Sequence, residues 1–278
     1  MYSPTWGWDA GAFLDVEGRA QVVALGGVGA VVEALYNPAL VGSEERSVGA
    51  SYRMLSLDRV VYEVGYFQPL EPDGGMGLLW HRASTSVQGR NVEGRRTETL
   101  GVAEYAFGLA LGLRVWRGVY GGLAGWVFGR ELAGQRGGGF GLDLGVIWKG
   151  GKGAFGLAVQ HLGASVSLRD RYWKRERSSR DRIPTVVRLG GMWRLGRAGL
   201  YGEAVRSRRR TEVRVGVEWE VSSTFVVRAG VRDLGRNSDR SIRGGFGLRF
   251  PRMSVGYAFA TDPMGAEASH GLSTEFFF

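Results

Sequence analysis

From about Ser47 onward, apolar residues recur at every second position rather than at the 3.6-residue spacing of a helix. In the run Glu212 to Trp219, Val213, Val215, Val217 and Trp219 share one face, while Glu212, Arg214, Gly216 and Glu218 share the other. The same division sets Phe225, Val227, Ala229 and Val231 against Arg228, Gly230 and Arg232. It also sets Phe140, Leu142, Leu144, Val146 and Trp148 against Gly141, Asp143 and Gly145. From Glu104 to Val115 the apolar members are Tyr105, Phe107, Leu109, Leu111 and Leu113. One face is thus continuously apolar and the other small or charged. The pattern predicts fourteen strands, at 47–56, 59–67, 75–87, 96–115, 119–130, 138–149, 153–167, 184–194, 198–206, 210–220, 224–232, 241–250, 252–261 and 267–278.

A soluble sandwich shows the same alternation with its apolar face inward, so connections and aromatics must decide. Tight turns fall near Arg117–Gly118, Gly150–Lys152, Gly196–Arg197, Ser222–Ser223 and Pro251, and longer loops near 131–137, 168–183, 233–240 and 262–266. Short periplasmic turns and longer outer loops mark an outer-membrane barrel. The downward strands end in Trp116, Trp148, Trp193, Trp219, Phe250 and Phe278, with Tyr66 and Phe67 ending the second strand. Large aromatics at one end of every second strand make an interfacial girdle in lipid and serve no purpose in a soluble sandwich. The reading is an all-β, transmembrane, antiparallel up-and-down β-barrel of about fourteen strands, located in the outer membrane of a Gram-negative type envelope.

Composition narrows the chemistry. The chain has 47 glycines but 7 prolines, no cysteine and three histidines, His81, His161 and His270. Scattered glycine without proline suits a crowded sheet face, and the absence of cysteine removes disulfides and thiolate chemistry. No metal site and no cofactor are expected. No apolar run approaches the roughly 18 residues of a membrane helix. The net charge of +9 raises the question of nucleic acid, yet the arginines are spread through the strands instead of being gathered on one helix or tail, which argues for a lumenal or solvated face. The opening MYSPTWGWDAGAFL lacks the basic, apolar and small-residue succession of a signal peptide. It is read either as a mature form with an added Met1 or as a start placed too late.

Residues 11–42, GAFLDVEGRAQVVALGGVGAVVEALYNPALVG, resemble the opening of PorV/PorQ-type proteins and their FadL-like relatives, in which a glycine-rich segment leads to an Asn-Pro-Ala motif, here Asn37, Pro38 and Ala39. Residues 139–163, 183–195 and 254–278 resemble later parts of the PorV/PorQ pattern, with His161 where that pattern carries asparagine. The resemblance implies a fourteen-stranded barrel whose N-terminal segment folds into or beneath the lumen. It also implies two functions: accessory or carrier in protein export to the cell surface, with secretion-system proteins as partners, or a FadL-like channel for hydrophobic or amphipathic small molecules.

Residues 1–45 are accordingly expected to form a plug, and 46–278 the barrel. Gly27 and Gly29 hint at a dinucleotide loop, but no alternation of strands and helices follows them, so close packing inside the wall is the better reading. Pro38 cannot donate to a ladder and ends pairing before the first strand. The inward faces carry Arg114, Arg188, Arg214, Arg228, Arg232, Arg243 and Arg249 beside Glu63, Glu104, Asp143, Glu212 and Glu218. These are read first as an ion-pair network holding the plug, with Glu17 and Glu33 as its partners, and second as a site for an anionic amphipathic ligand. A basic run containing Arg171, Trp173, Lys174, Arg175 and Arg177 is placed outside the cell, as a solvated loop or a contact for lipopolysaccharide phosphates and membrane lipid. Catalysis is not expected. His81 and His270, the latter beside Ser269, are read as girdle or loop residues.

Overall fold

The computed structural model describes residues 11–132, 135–168, 179–208, 210–234, 240–262 and 267–278. A 3-10 turn at Ala12–Asp15, a short helix α1 at Ala20–Ala24 and a second 3-10 turn at Pro38–Ser43 precede the sheet. The strands are β1 (Ser47–Leu55), β2 (Arg59–Leu70), β3 (Gly74–Arg90), β4 (Arg96–Trp116), β5 (Val119–Leu132), β6 (Gln135–Gly150), β7 (Gly153–Leu168), β8 (Ser179–Arg182), β9 (Val186–Leu195), β10 (Ala198–Ser207), β11 (Arg210–Glu220), β12 (Phe225–Arg232), β13 (Ser241–Phe250), β14 (Met253–Ala260) and β15 (Ser269–Phe277). Neighbours in sequence are neighbours in the sheet, except that β9 lies beside β7 and not β8; β1 meets β15, and β6 meets β7. The sheet is therefore a closed antiparallel ring, which is what lipid requires of a backbone that cannot bond to water.

Fifteen strands fill fourteen places in the ring. Both β8 and β9 pair with β7, β8 along Ser165–Leu168 and β9 along Gly153–Gln160. Pro184 lies between them and has no N–H to offer the ladder. Opposite this break, β7 bulges: His161 has φ 60° and Gly163 φ 64°, and the β6–β7 register slips around Leu142. Asparagine, aspartate and histidine tolerate the left-handed region best among residues with a Cβ. A histidine can therefore stand where the resembling pattern has asparagine.

Alternation places the side chains as the period of two predicts. In β4, Ala106 and Ala110 are fully buried, whereas Phe107, Leu109 and Leu111 are each nearly half exposed on the outside. A continuous band of exposed leucine, valine and phenylalanine is far larger than a soluble monomer carries, and it matches a lipid-facing wall.

Two expectations change. β5 and β6 continue their pairing to Leu132↔Gln135, so no long connection spans 131–137; the polar Gln-Arg-Gly run stays in the ladder because ladder bonds use backbone groups, not apolar side chains. The β1–β2 connection is short, across Ser56–Asp58, as the strands read at 47–56 and 59–67 require. Phe67 shares the parity of Glu63 and is buried inside, packed with Leu79 and Val41, instead of ending β2 in the outer aromatic row.

Residues 11–45 are largely buried. The second 3-10 turn packs against β2 to β6 and α1 against β12 to β15, so the segment touches wall strands on opposite arcs of the ring. Inward glycines permit this approach. A Cβ on Gly216 would meet the backbone of Leu25, one on Gly122 the backbone of Ala39, and one on Gly112 that of Gly42. On the segment, Gly26 combines φ 76° with a Cβ position occupied by the Val215 and Val231 carbonyls, so a side chain is excluded there on both counts.

Candidate ligand passage and its charged lining

A buried segment without sheet partners must find other acceptors and donors for its backbone. The wall provides them with side chains. Gly18 N donates to Glu63 Oε1 at 2.8 Å, Ala30 N to Glu203 Oε2 at 3.0 Å, and Gly29 N to the same carboxylate oxygen. Arg53 Nη1 donates to the Glu17 carbonyl at 2.7 Å and Arg214 Nη1 to the Gly27 carbonyl at 2.8 Å. Gln160 Nε2 serves the Leu35 carbonyl at 3.1 Å. Asn37 ties the turn in both directions: its Oδ1 accepts from Ala39 N, and its Nδ2 reaches the Ala30 and Val146 carbonyls at 2.8 and 3.2 Å. Pro38 follows as the first residue of the turn, where a missing N–H costs nothing. His81 is fully buried rather than at a girdle or loop, with Nε2 2.9 Å from the Phe13 carbonyl and Nδ1 3.1 Å from Glu63 Oε1; its place in β3 has inward parity, as Leu79 does.

Four guanidiniums converge on one carboxylate. Glu17 lies 3.1 Å from Arg232, 3.2 Å from Arg243, 3.4 Å from Arg53 and 3.6 Å from Arg214. Burial raises a carboxyl pKa, but here the four arginines prevail and hold Glu17 well below the usual range. Glu212 shares the load, bonding Arg214 at 2.9 Å and Arg232 at 3.1 Å. Arg188 pairs with Glu203 at 3.0 Å and lies over the Tyr36 ring at 4.6 Å. Farther towards the short turns, Arg228 and Arg249 both reach Glu218, at 2.7 and 2.8 Å.

Asp143 accepts from Trp126 Nε1 at 2.8 Å and from His161 N at 2.7 Å, bracing the β7 bulge. Glu104 pairs with Arg130 at 3.2 Å. Arg114 has inward parity but sits beside the β4–β5 turn, half exposed and paired with Asp73, so it belongs to the rim instead of the lumen. Trp116, Trp148, Trp193, Trp219, Phe250 and Phe278 are all exposed and all lie at the short-turn end of the ring. Arg171, Trp173, Lys174, Arg175 and Arg177 fall outside the described residues. Ser269 and His270 point to opposite faces: Ser269 Oγ accepts from Arg53 inside, and His270 Nδ1 meets Tyr257 Oη at 2.8 Å outside. They cannot form a nucleophile and its base.

Arg19 has the opposite surroundings to Glu17. It is paired with Glu275 and lies 3.8 Å from Glu33, while Glu63 stands nearby across a cavity of about 370 Å³. Polar lining from Ser51 and Ser273 alternates there with Leu35, Phe67 and Leu79. Neither Arg19, Arg53, Glu203 nor Glu275 stands out in the sequence; inward parity was the available signal, and each is an isolated charge in an otherwise unremarked strand or turn.

A fold of this kind has known counterparts. The Pseudomonas putida toluene transporter TodX superposes with a TM-score of 0.71 at 13% identity, covering 95% of this chain and 99% of that one. A TodX mutant described as a monoaromatic hydrocarbon channel with a ΔS2S3 change gives 0.67 at 12% identity, covering 95% of this chain and 100% of that one. The chain shares the closed β-barrel fold of these structures. No protein-family model and no curated protein matches the chain. Both neighbours are transport proteins by their descriptions, one a toluene transporter and the other a monoaromatic hydrocarbon channel.

Proposed function

We propose that the chain is a FadL-like outer-membrane channel for hydrophobic or amphipathic small molecules, with residues 11–45 as a plug that the wall arginines hold in place. The observation that supports this best is an amphipathic cavity of about 370 Å³ between the segment and the short-turn half of β1, β2, β3, β12, β13, β14 and β15. A porin for ions would need a continuous wet bore; a cavity of mixed lining under a buried segment instead suits a solute with an apolar body. TodX, a toluene transporter, offers a precedent in fold. The outward aromatics at the short-turn end would then sit at the periplasmic lipid interface.

Proteoliposomes should take up a small neutral aromatic faster than protein-free vesicles while conducting ions poorly. Removal of residues 1–35 should raise planar-bilayer conductance. An intact chain that already conducts like an open porin, with no gain on truncation, would overturn the plug. The export role rests only on the PorV/PorQ resemblance of residues 11–42, 139–163, 183–195 and 254–278, and the structural neighbours favour the channel reading over it. Its support would be stable co-purification with secretion-machine proteins.

A further inference from the structure

Going beyond the channel reading, and resting on the barrel's spanning an outer membrane, we infer that Tyr62, Arg82 and Tyr105 on the outside of the wall bind the phosphate of a lipopolysaccharide-type glycolipid in the outer leaflet. The argument begins with an exposed cation. Arg82 follows the buried His81 in β3, so it points outward, and it is exposed there. In register it lies between Tyr62 of β2 and Tyr105 of β4. The other outward positions around it, Val60, Val64, Trp80, Ser84, Ala103 and Phe107, have no charge. Arg82 makes no ion pair or hydrogen bond among the described residues. A guanidinium keeps its proton, so the negative charge that complements it has to come from outside the chain.

Height decides which anion. Along β4 the outward side chains run from Trp116 at the short-turn end through Leu113, Leu111, Leu109 and Phe107 to Tyr105. At about 3.3 Å per residue and a tilt of about 40°, this stretch rises roughly 28 Å, close to the roughly 25 Å of an apolar band between two aromatic girdles. Tyr62, Arg82 and Tyr105 therefore stand at the interface opposite Trp116, level with lipid phosphates. Both tyrosine rings are engaged on their far sides. Tyr62 packs on Tyr52 with 5.1 Å between ring centroids, and the Tyr105 ring leans over β5, where a Cβ on Gly129 would collide with it. The guanidinium is left uncovered between them, open to two parallel N–H bonds with one phosphate and flanked by phenol hydroxyls. Above the row, β3 and β4 continue as a pair to Arg90 and Arg96, with Ser84, Ser86, Thr99 and Gly101 on the outward face. Apolar wall, cation and small hydroxyl-bearing face thus follow the order of acyl chain, phosphate and sugar. A phospholipid would leave the third tier uncovered; a phosphorylated glycolipid covers all three.

The test uses the full chain in detergent micelles and native mass spectrometry to follow titration with three lipids: a rough-type lipopolysaccharide, the same glycolipid stripped of its phosphates, and phosphatidylglycerol. The intact glycolipid should bind about tenfold tighter than phosphatidylglycerol, and removal of its phosphates should abolish the preference. Arg82→Gln should weaken glycolipid binding about tenfold, the loss of one bidentate charged contact. Arg82→Lys, which keeps the charge without the fork, should recover only part of it. Arg206→Gln is the control. Arg206 is also exposed and outward but stands between Val187 and Thr211, with no tyrosine on either side, and its loss should change binding less than about twofold. Equal losses from Arg82→Gln and Arg206→Gln would reveal diffuse attraction to a basic wall and overturn the inference, as would equal binding of phosphatidylglycerol. Glycolipid binding unchanged in Arg82→Gln, beside normal uptake of a neutral aromatic into proteoliposomes, would remove this inference and leave the channel standing. Absence of uptake by the native chain, with Arg82-dependent glycolipid binding intact, would do the reverse. A chain that stays monomeric without detergent would remove the membrane reading on which both depend.

Discussion

Glu17 and Arg19 stand two residues apart on one buried segment, and each is ringed by charges of the opposite sign. Around Glu17 the wall sends four arginines; around Arg19 stand carboxylates, Glu275 of the wall at its side, Glu33 of the segment itself at 3.8 Å, and Glu63 of the wall across the cavity. The two surroundings are not mirror images in chemistry. An arginine does not give up its proton inside a protein, so surplus cations can be relieved solely by an anion. A surplus carboxylate can simply take a proton. The first region is thus a permanent clamp, and the second an adjustable site. Burial, reinforced by Glu63, pushes the Glu33 carboxyl well above its usual range, against the opposing pull of Arg19.

The largest effect is expected from Glu17→Gln. It leaves Arg53, Arg214, Arg232 and Arg243 without their shared counter-ion, a loss of about 3–5 kcal/mol by analogy with broken buried pairs. The segment should detach, visible as raised single-channel conductance and new tryptic cleavage at Arg19. A change in melting temperature no larger than that of a surface variant would show that water or Glu212 can replace Glu17, and the clamp would lose its basis.

Arg19→Met should cost less, because Glu33 can stay protonated in response. The expected loss is about 1–3 kcal/mol, comparable to leaving one charged hydrogen bond unmade. Thermal unfolding in detergent of both variants side by side checks the order. If Arg19→Met equals or exceeds Glu17→Gln, the distinction between clamp and adjustable site disappears.

The two regions should also part in their response to pH. Glu17 has a depressed pKa in the fold, so its contribution is present above the unfolded carboxylate value and is lost as pH falls through the folded one. Glu33 has a raised pKa, so its contribution is complete below the unfolded value and fades as pH rises through the folded one. The groups acting on Glu33 are Glu63, Arg19, Glu275 and Glu44, and of these the acids all favour the proton. Melting curves taken upward from pH 5 should show a decline in the native chain that Glu33→Gln flattens; parallel slopes in both would assign the decline elsewhere. Arg114→Ala marks the small end of the scale, within about 0.5 kcal/mol, since its partner Asp73 is solvated at the rim.

Much of the barrel was legible because lipid imposes a simple rule on one face. Val213, Leu142 and Leu109 had to be apolar and outward, and the alternation that reveals them also fixes Arg214, Asp143 and Glu104 as inward. The charged pairing was less legible. Glu17 was expected among the partners of the inward arginines and is one, but parity could not say which arginines meet it, since Arg232 lies 215 residues away and the segment has no periodicity of its own. Phe67 and His81 were misplaced for a related reason: an aromatic near a strand end and a lone histidine look like interface residues until the segment that covers them is known. Neither β8, which falls at Ser179–Arg182 where a loop was expected, nor the compensating bulge at His161 and Gly163 was visible, since both depend on how neighbouring strands slip past each other.

The glycines that face the segment carry a consequence for heredity. At Gly216, Gly122 and Gly112 the wall is shaped by a strand of backbone from elsewhere in the chain, and Gly26 is shaped in return by the wall. A methyl group gained on either side has to be matched by retreat on the other. Drift along this seam should therefore proceed in paired steps, with wall and segment inherited as one mould and its cast, while the lipid-facing leucines and valines a single residue away remain free to interchange one at a time.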